Sequence, residues 1–199
     1  MTRLGYVLVT FVVAQSFIAL FTAVAWFMPQ PRLLWNASAS APIGLYRLYP
    51  GEKPSFGDLV AYRPSPVLAQ FMAQRHYLPA GIPLLKHVAA YSGATICRRD
   101  AVVMIDGHVV AIARASDSQG RPLPVWRGCR GLRADQLFLL NDAPDSLDGR
   151  YFGPVPASGL IGRATPILTR DAPDAPLRWR LARPREAHPI THQGDVRCK

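Results

Sequence analysis

The stretch Asn36-Ala37-Ser38-Ala39-Ser40-Ala41-Pro42-Ile43-Gly44 places two hydroxyls one residue apart, ahead of a Pro-x-Gly turn signal. A serine hydroxyl is a weak nucleophile until a base takes its proton, so a second group is required. Histidine is the usual base, and the folded region offers His76, His87 and His108. No Gly-x-Ser-x-Gly elbow marks a triad. Lysine is the other known base, provided that apolar surroundings pull its pKa toward neutrality. Lys86 has such surroundings, with Leu84-Leu85 before it and Val88-Ala89-Ala90 shortly after. An edge-strand lysine whose ammonium snorkels to water has the same local sequence. A third stretch, residues 141–156, crowds Asp145, Ser146, Asp148 and Arg150 together. Asp148 and Arg150 can form a charge-assisted pair, and Ser146 can hydrogen-bond a neutral lysine. A solvated loop could have this composition too, and Ser38 and Ser40 read alone suit a small-residue linker.

The elements that must hold these groups are mostly strands. Among 199 residues, 19 prolines and 15 glycines suit short strands and turns better than a helical bundle. Residues 45–64 read as strand, turn and a second strand centred on Leu59-Val60-Ala61-Tyr62. Residues 65–78 carry Val67, Leu68, Phe71 and Met72 at helical spacing, which predicts an amphipathic helix ended by Pro79 and Pro83. Residues 83–115 read as strand, turn, strand, hairpin and strand, with turns at Ser92-Gly93 and Asp106-Gly107. Residues 117–136 are expected to be a loop; 137–141 and 159–168 are expected strands. From Asp171 the apolar pattern fades, and 171–199 reads as a flexible basic tail. There is no internal repeat.

Ahead of the serines lies a segment of another kind. No charged residue occurs from Gly5 to Phe27, and as a helix that run reaches roughly 34 Å, against a hydrocarbon core of about 30 Å. Trp26 and Trp35 suit the far interface and Arg3 the near one. Ala23-Val24-Ala25 has the form of a signal-peptide cleavage site, but the apolar run exceeds the usual signal h-region. We read an uncleaved anchor over 1–28, a folded domain over 29–170, and the tail. Either way residues from 36 onward lie outside the cytoplasm. The net charge of +10 then suits anionic lipid headgroups or an acidic partner, and no nucleic acid is expected. An oxidising compartment permits a disulfide. Cys97 and Cys129 are the candidate pair, with two buried free thiols as the rival reading, and Cys198 sits in the tail. No Cys-x-x-Cys spacing occurs, and His188 and His192 stand on no predicted helix, so neither metal nor cofactor is expected.

In their order, "NASASAPIGLY", Gly57-Asp58-Leu59-Val60, "PLLKHVAAYSGA" and "PDSLDGRYFGPVP" resemble the type I signal peptidase family, and more closely its conjugative-transfer, TraF-type branch. The resemblance covers about residues 30–168. It implies a mostly β, membrane-anchored peptidase domain with a Ser/Lys dyad. Ser40 is then similar to the family's nucleophile and Lys86 to its general base. The Ser38 hydroxyl and the Ser40 N–H match the oxyanion donors, Ser146 the residue that positions the lysine, and Asp148 and Arg150 the supporting pair. Ala41 and Pro42 depart from the signal peptidase pattern, which has methionine after the serine and proline three beyond it; they follow the TraF branch. The resemblance implies as substrate a pilin or other exported precursor, small residues before the cut, and acyl transfer to water or to a peptide amine that cyclises the product. It also implies inner-membrane location with a periplasmic catalytic domain, and conjugation-channel proteins as partners. A non-catalytic, membrane-anchored component of a secretion or conjugation channel would need neither Ser40 nor Lys86.

Overall fold

A computed structural model describes residues 2–27 and 32–180. The chain divides into two units, Met1–Pro31 and Arg32–Lys199. The first is built on helix α1 (Arg3–Phe27), none of whose residues is buried. Three of its hydroxyls bond within the helix: those of Thr10, Ser16 and Thr22 donate to the carbonyls of Tyr6, Val12 and Ile18 at 2.9, 2.9 and 2.7 Å. An apolar helix in hydrocarbon requires that economy. By length and composition α1 can cross a membrane.

The second unit is two antiparallel sheets. Its strands are β1 (Leu33–Asn36), β2 (Ile43–Pro50), β3 (Leu59–Tyr62), β4 (Leu84–Ala90), β5 (Thr95–Arg99), β6 (Val102–Ile105), β7 (His108–Ile112), β8 (Gly128–Gly131), β9 (Gln136–Leu140), β10 (Val155–Pro156), β11 (Leu160–Arg170) and β12 (Arg178–Trp179). The larger sheet runs β1-β2-β11-β3-β4-β9-β10, with β12 also on β11; the smaller runs β7-β6-β5-β8. The unit also contains helices α2 (Pro66–Gln74) and α3 (Gly149–Phe152).

Local sequence accounts for most of these elements. β4 is apolar apart from Lys86 and His87 and is buried on both faces. Asp106 and Gly107, at φ 49° and 83°, form the two-residue turn between β6 and β7. Ser65 caps α2 by accepting from Leu68 N–H, and Pro66 opens the helix. The helix ends at Gln74 rather than 78, because His76 adopts φ 58° and turns the chain. Three apolar clusters join the layers. Val60, Val88 and Leu139 pack with Met72 of α2. Ile96 and Val103 of the smaller sheet pack with Phe138 of the larger. Tyr46, Leu48 and Leu85 lie under Ala41.

Some elements depart from expectation. β1 pairs with β2 through Asn36↔Gly44, so the two serines occupy a hairpin loop rather than a linker. Gly44 belongs to β2, not to the turn. β8 falls inside the expected loop 117–136: Gly128-Cys129-Arg130-Gly131 has no strand pattern, but β5 pairs with it and Cys97 and Cys129 face each other in register. Their sulfurs are bonded, with Cα atoms 4.0 Å apart. Within the expected tail, Arg178 and Trp179 pair with β11, and Arg180 donates to Asp171 and Thr169. His188, His192 and Cys198 lie outside the described residues.

A Cβ added at Gly44 would stand 2.1 Å from the Leu168 carbonyl oxygen, at φ 145°. Gly44→Ala is therefore expected to part β2 from β11 beneath the serine loop and cost about 1–3 kcal/mol. A lowered urea midpoint of the full chain in detergent checks this.

Candidate active site

The loop between β1 and β2 is organised by Asn36. Its Nδ2 donates to the carbonyls of Ser38, Ala41 and Pro42 at 2.9, 3.1 and 3.0 Å. Its Oδ1 accepts from the Ser38 N–H at 3.1 Å and from the Ser38 hydroxyl at 3.0 Å. Tyr46 adds a hydroxyl bond to the Pro42 carbonyl at 2.6 Å. Ser38 Oγ lies 3.2 Å from Ser40 Oγ. A hydroxyl has one proton. With that of Ser38 on Asn36, the Ser40 hydroxyl must be the donor to Ser38, which gives a relay Ser40→Ser38→Asn36.

Lys86 sits mid-strand in β4 at 2% exposure. Burial lowers its pKa from 10.5 to about 8; the charge of Asp148 opposes that shift and the charge of Arg150 adds to it. Its Nζ donates to Ser146 Oγ at 2.6 Å. Ser146 is held within the segment that the Asp148–Arg150 pair anchors. Asp148 caps α3 by accepting from Arg150 N–H, and its carboxylate receives Arg150 Nε and Nη2, each at 3.0 Å. This two-pronged pair is fully enclosed, so its geometry rather than its charge holds the turn. Arg98 of β5, also buried, donates to the Arg150 carbonyl at 2.5 Å and ties the smaller sheet to the same turn.

Sequence reasoning misses the residue that brings these pieces together, Asn141. It directly follows β9, and its Nδ2 donates to the Ser40 carbonyl at 2.8 Å and to the Leu85 carbonyl at 3.1 Å. Its own N–H donates to Asp148 Oδ2 at 3.0 Å, and its carbonyl accepts from Arg150 Nη2. One side chain thus joins the serine loop to the strand position next to Lys86. The available signal is polar: an asparagine ending the apolar run Leu137–Leu140 is buried only with partners. Asn36 has a similar signal, since Asn-x-Ser is a common Asx-turn opening.

Ser38, Ser40 and Lys86 line two cavities, one of about 240 Å³ bounded by β1 and the start of β4, and one of about 320 Å³ that reaches Ser146. His76, His87 and His108 line neither. His87 instead faces the Gly57 carbonyl at 2.9 Å. Among the described residues, no group of three or more His, Cys, Asp or Glu side chains is placed to hold a metal ion. The arrangement offers a hydroxyl, a buried amine with a lowered pKa and further hydroxyls in one cleft. That chemistry suits nucleophilic attack with amine-assisted proton transfer.

Residues 4–169 match the family model described as signal peptidase, peptidase S26. The chain belongs to that family. "Probable conjugal transfer protein TraF" of Sinorhizobium fredii is 38% identical over 145 residues, covering 67% of this chain and 76% of its own. The conjugal transfer protein TraF of Agrobacterium fabrum is 39% identical over 147 residues, covering 68% and 82%. The plasmid transfer protein TraF of Escherichia coli is 34% identical over 148 residues, covering 67% and 81%. These relatives put the chain on the family's TraF-type branch. A crystal structure of a signal peptidase I from Enterococcus faecalis is 22% identical with a TM-score of 0.35, covering 57% of this chain and 98% of its own.

Two outcomes follow from the geometry. Asn141→Ala strips buried carbonyls of Ser40 and Leu85 of their donor, and stability in urea is expected to fall by about 1–3 kcal/mol. Lys86 titrates near 8 in the fold, against about 10.4 when unfolded. Between those values the unfolded chain binds more protons, so stability rises with pH across that window; below about 8 the cost of the buried charge is fully present. The rise is expected to be on the order of 3 kcal/mol and to vanish in Lys86→Met, read from denaturation at pH 7.5 and 10.5.

Proposed function

We propose that the protein is a membrane-anchored serine endopeptidase, with Ser40 as nucleophile and Lys86 as general base, that processes an exported precursor in conjugative transfer. The observation that carries this reading is a lysine at 2% exposure, with its pKa lowered to about 8, lining the same cleft as Ser40. Burying an amine in a strand is costly, and the return is a base whose neutral form is within reach near pH 8.

In the proposed cycle the substrate displaces the resting relay. Among the described residues no hydrogen bond joins Ser40 to Lys86, and the Ser40 proton is directed at Ser38. A turn of the Ser40 hydroxyl brings that proton to neutral Lys86. The Oγ–carbon bond forms and the carbonyl becomes an oxyanion, held by the Ser40 N–H and the Ser38 hydroxyl. One such donor is worth about 3–4 kcal/mol in the transition state. The carbon–nitrogen bond then breaks, and the Lys86 ammonium gives its proton to the leaving amine. Lys86 next takes a proton from water or from a peptide amine as it attacks the ester; the acyl carbon–Oγ bond then breaks and Lys86 returns the proton to Ser40 Oγ. Ser146 keeps the Lys86 amine in place, and the Asp148–Arg150 pair keeps Ser146 in place. The substrate chain extends past the start of β4, where β9 no longer pairs: β9 meets β4 only from His87, and Asn141 already takes the Leu85 carbonyl.

The relatives' names, conjugal and plasmid transfer proteins, favour a transfer-apparatus precursor of the pilin kind, with conjugation-channel proteins as partners. With α1 as anchor in the inner membrane, the second unit lies on the periplasmic side.

Ser40→Ala and Lys86→Ala are each expected to abolish processing of a co-expressed pilin precursor, followed by mass spectrometry. Full processing by either variant removes the dyad. A product lighter than the linear peptide by one water marks transfer to its own amine. kcat/KM of the parent is expected to rise about ten-fold per pH unit up to about 8 and then level; a flat profile from pH 6 to 10 contradicts a lysine base.

A further inference from the structure

Two cavities meet at Ser40, and a peptide bond has two sides. The acyl part stays on the serine while the amine part leaves. Ser146 indicates which cavity serves which part. Lys86 Nζ bonds to Ser146, and Ser146 lines only the larger cavity. The proton that the leaving amine needs is therefore offered from that side. The smaller cavity, bounded by β1 and the start of β4, is left for the acyl part.

The larger cavity has a built roof. Its walls beyond the cleft come from α2 with the residues after it, and from a strap over 114–123. These two segments are latched by side chains. The Tyr77 hydroxyl donates to Asp117 Oδ2, and Arg121 Nε donates to the same oxygen at 2.7 Å. Arg121 Nη2 reaches the Arg75 carbonyl at 3.1 Å, and Arg75 Nη1 reaches the Pro122 carbonyl at 2.8 Å. The Tyr77 bond, with those from Arg121, holds the Asp117 carboxyl well below the usual carboxylate range, so the latch is charged at any working pH. Beneath it, Met72, Leu78, Leu84 and Leu123 form an apolar stretch of the cavity lining, which also carries Arg114, Asp117 and Asp145. At about 320 Å³ it reaches the lower end of ligand-pocket sizes, roughly 300–1,000 Å³.

We propose that this roofed cavity binds the leaving-side segment of the substrate chain and takes an apolar side chain from the first residue past the scissile bond. This rests on the peptidase reading above. Such an enzyme selects its cut on both sides of the bond. Side-chain burial in the larger cavity also holds the departing amine beside Lys86 until it is protonated.

The test uses the full chain in detergent with three probes sharing one acyl half that ends in alanine. Two are internally quenched peptides whose leaving halves begin with Leu or with its polar near-isostere Asn; the third is the methyl ester of the acyl half. The parent is expected to cut the Leu peptide about ten-fold faster in kcat/KM than the Asn peptide. Leu123→Trp, which fills the cavity from the strap, is expected to bring the two peptides to near parity by slowing the Leu peptide. Its ester hydrolysis is expected to stay within about two-fold of the parent, since methanol needs no such site. If Leu123→Trp does not turn over the ester, Ser118→Tyr on the same wall replaces it. A parent that cuts both peptides equally, or a filled variant that keeps the preference, overturns the assignment of the cavity. A parent that acts on neither peptide nor ester overturns the peptidase reading, and this inference with it.

Discussion

The interaction on which the rest of this structure depends is the burial of the Lys86 amine in β4. Ammonium groups seldom enter a fold without an ion pair, and here the direct partner is the neutral hydroxyl of Ser146. The cost is tolerable because β4 lies between β3 and β9, whose pairings fix its position. It is also tolerable because the nearby charges are already matched. Asp148 and Arg150 neutralise one another, so the net field at Lys86 is small and burial dominates. Had Asp148 stood unpaired, its charge would have held the amine protonated to higher pH.

The serine side of the cleft solves a different problem, since a hydroxyl costs little to bury but turns freely. Asn36 and Asn141 remove that freedom. Asn36 fixes the loop by bonding three of its carbonyls, and Asn141 fixes the distance between loop and strand. Neither side chain titrates. Amides suit this work because each carries donors and an acceptor on one rigid plane, and neither brings a charge that would disturb the lysine.

How much of the fold and the site can be read from the sequence depends on range. Helix α1 is legible because an uncharged run of its length exceeds what a core helix of a small domain needs. β3, β4, β9 and the Asp106-Gly107 hairpin are legible because periodicity and turn residues are local. Lys86 stands out as a charge in an apolar run, although only the ordered motifs distinguish it from an edge-strand lysine. β8 is not legible: its glycines argue against a strand, and what makes it one is β5 and the bond to Cys97, 32 residues away. Gly44 reads as a turn residue because its neighbour Leu168 is distant in sequence. Asn141 escapes notice because its partners, Ser40 and Leu85, are supplied by other elements.

The chemical groups come from the β1–β2 loop, β4 and the turn before α3. The latched roof comes from α2 and the strap, and its ties to itself are side-chain bonds between surface segments. The two sets of residues are separate in sequence and meet through the packing of α2 on the core and the bond from the Arg114 N–H to the Tyr151 hydroxyl. Changing the cavity-facing side chains of the roof therefore changes the lining of the larger cavity and leaves Ser40, Lys86 and Ser146 on their own elements. On the proposed reading, two short stretches of chain set which leaving-side segments fit, while the strands that hold the lysine stay as they are.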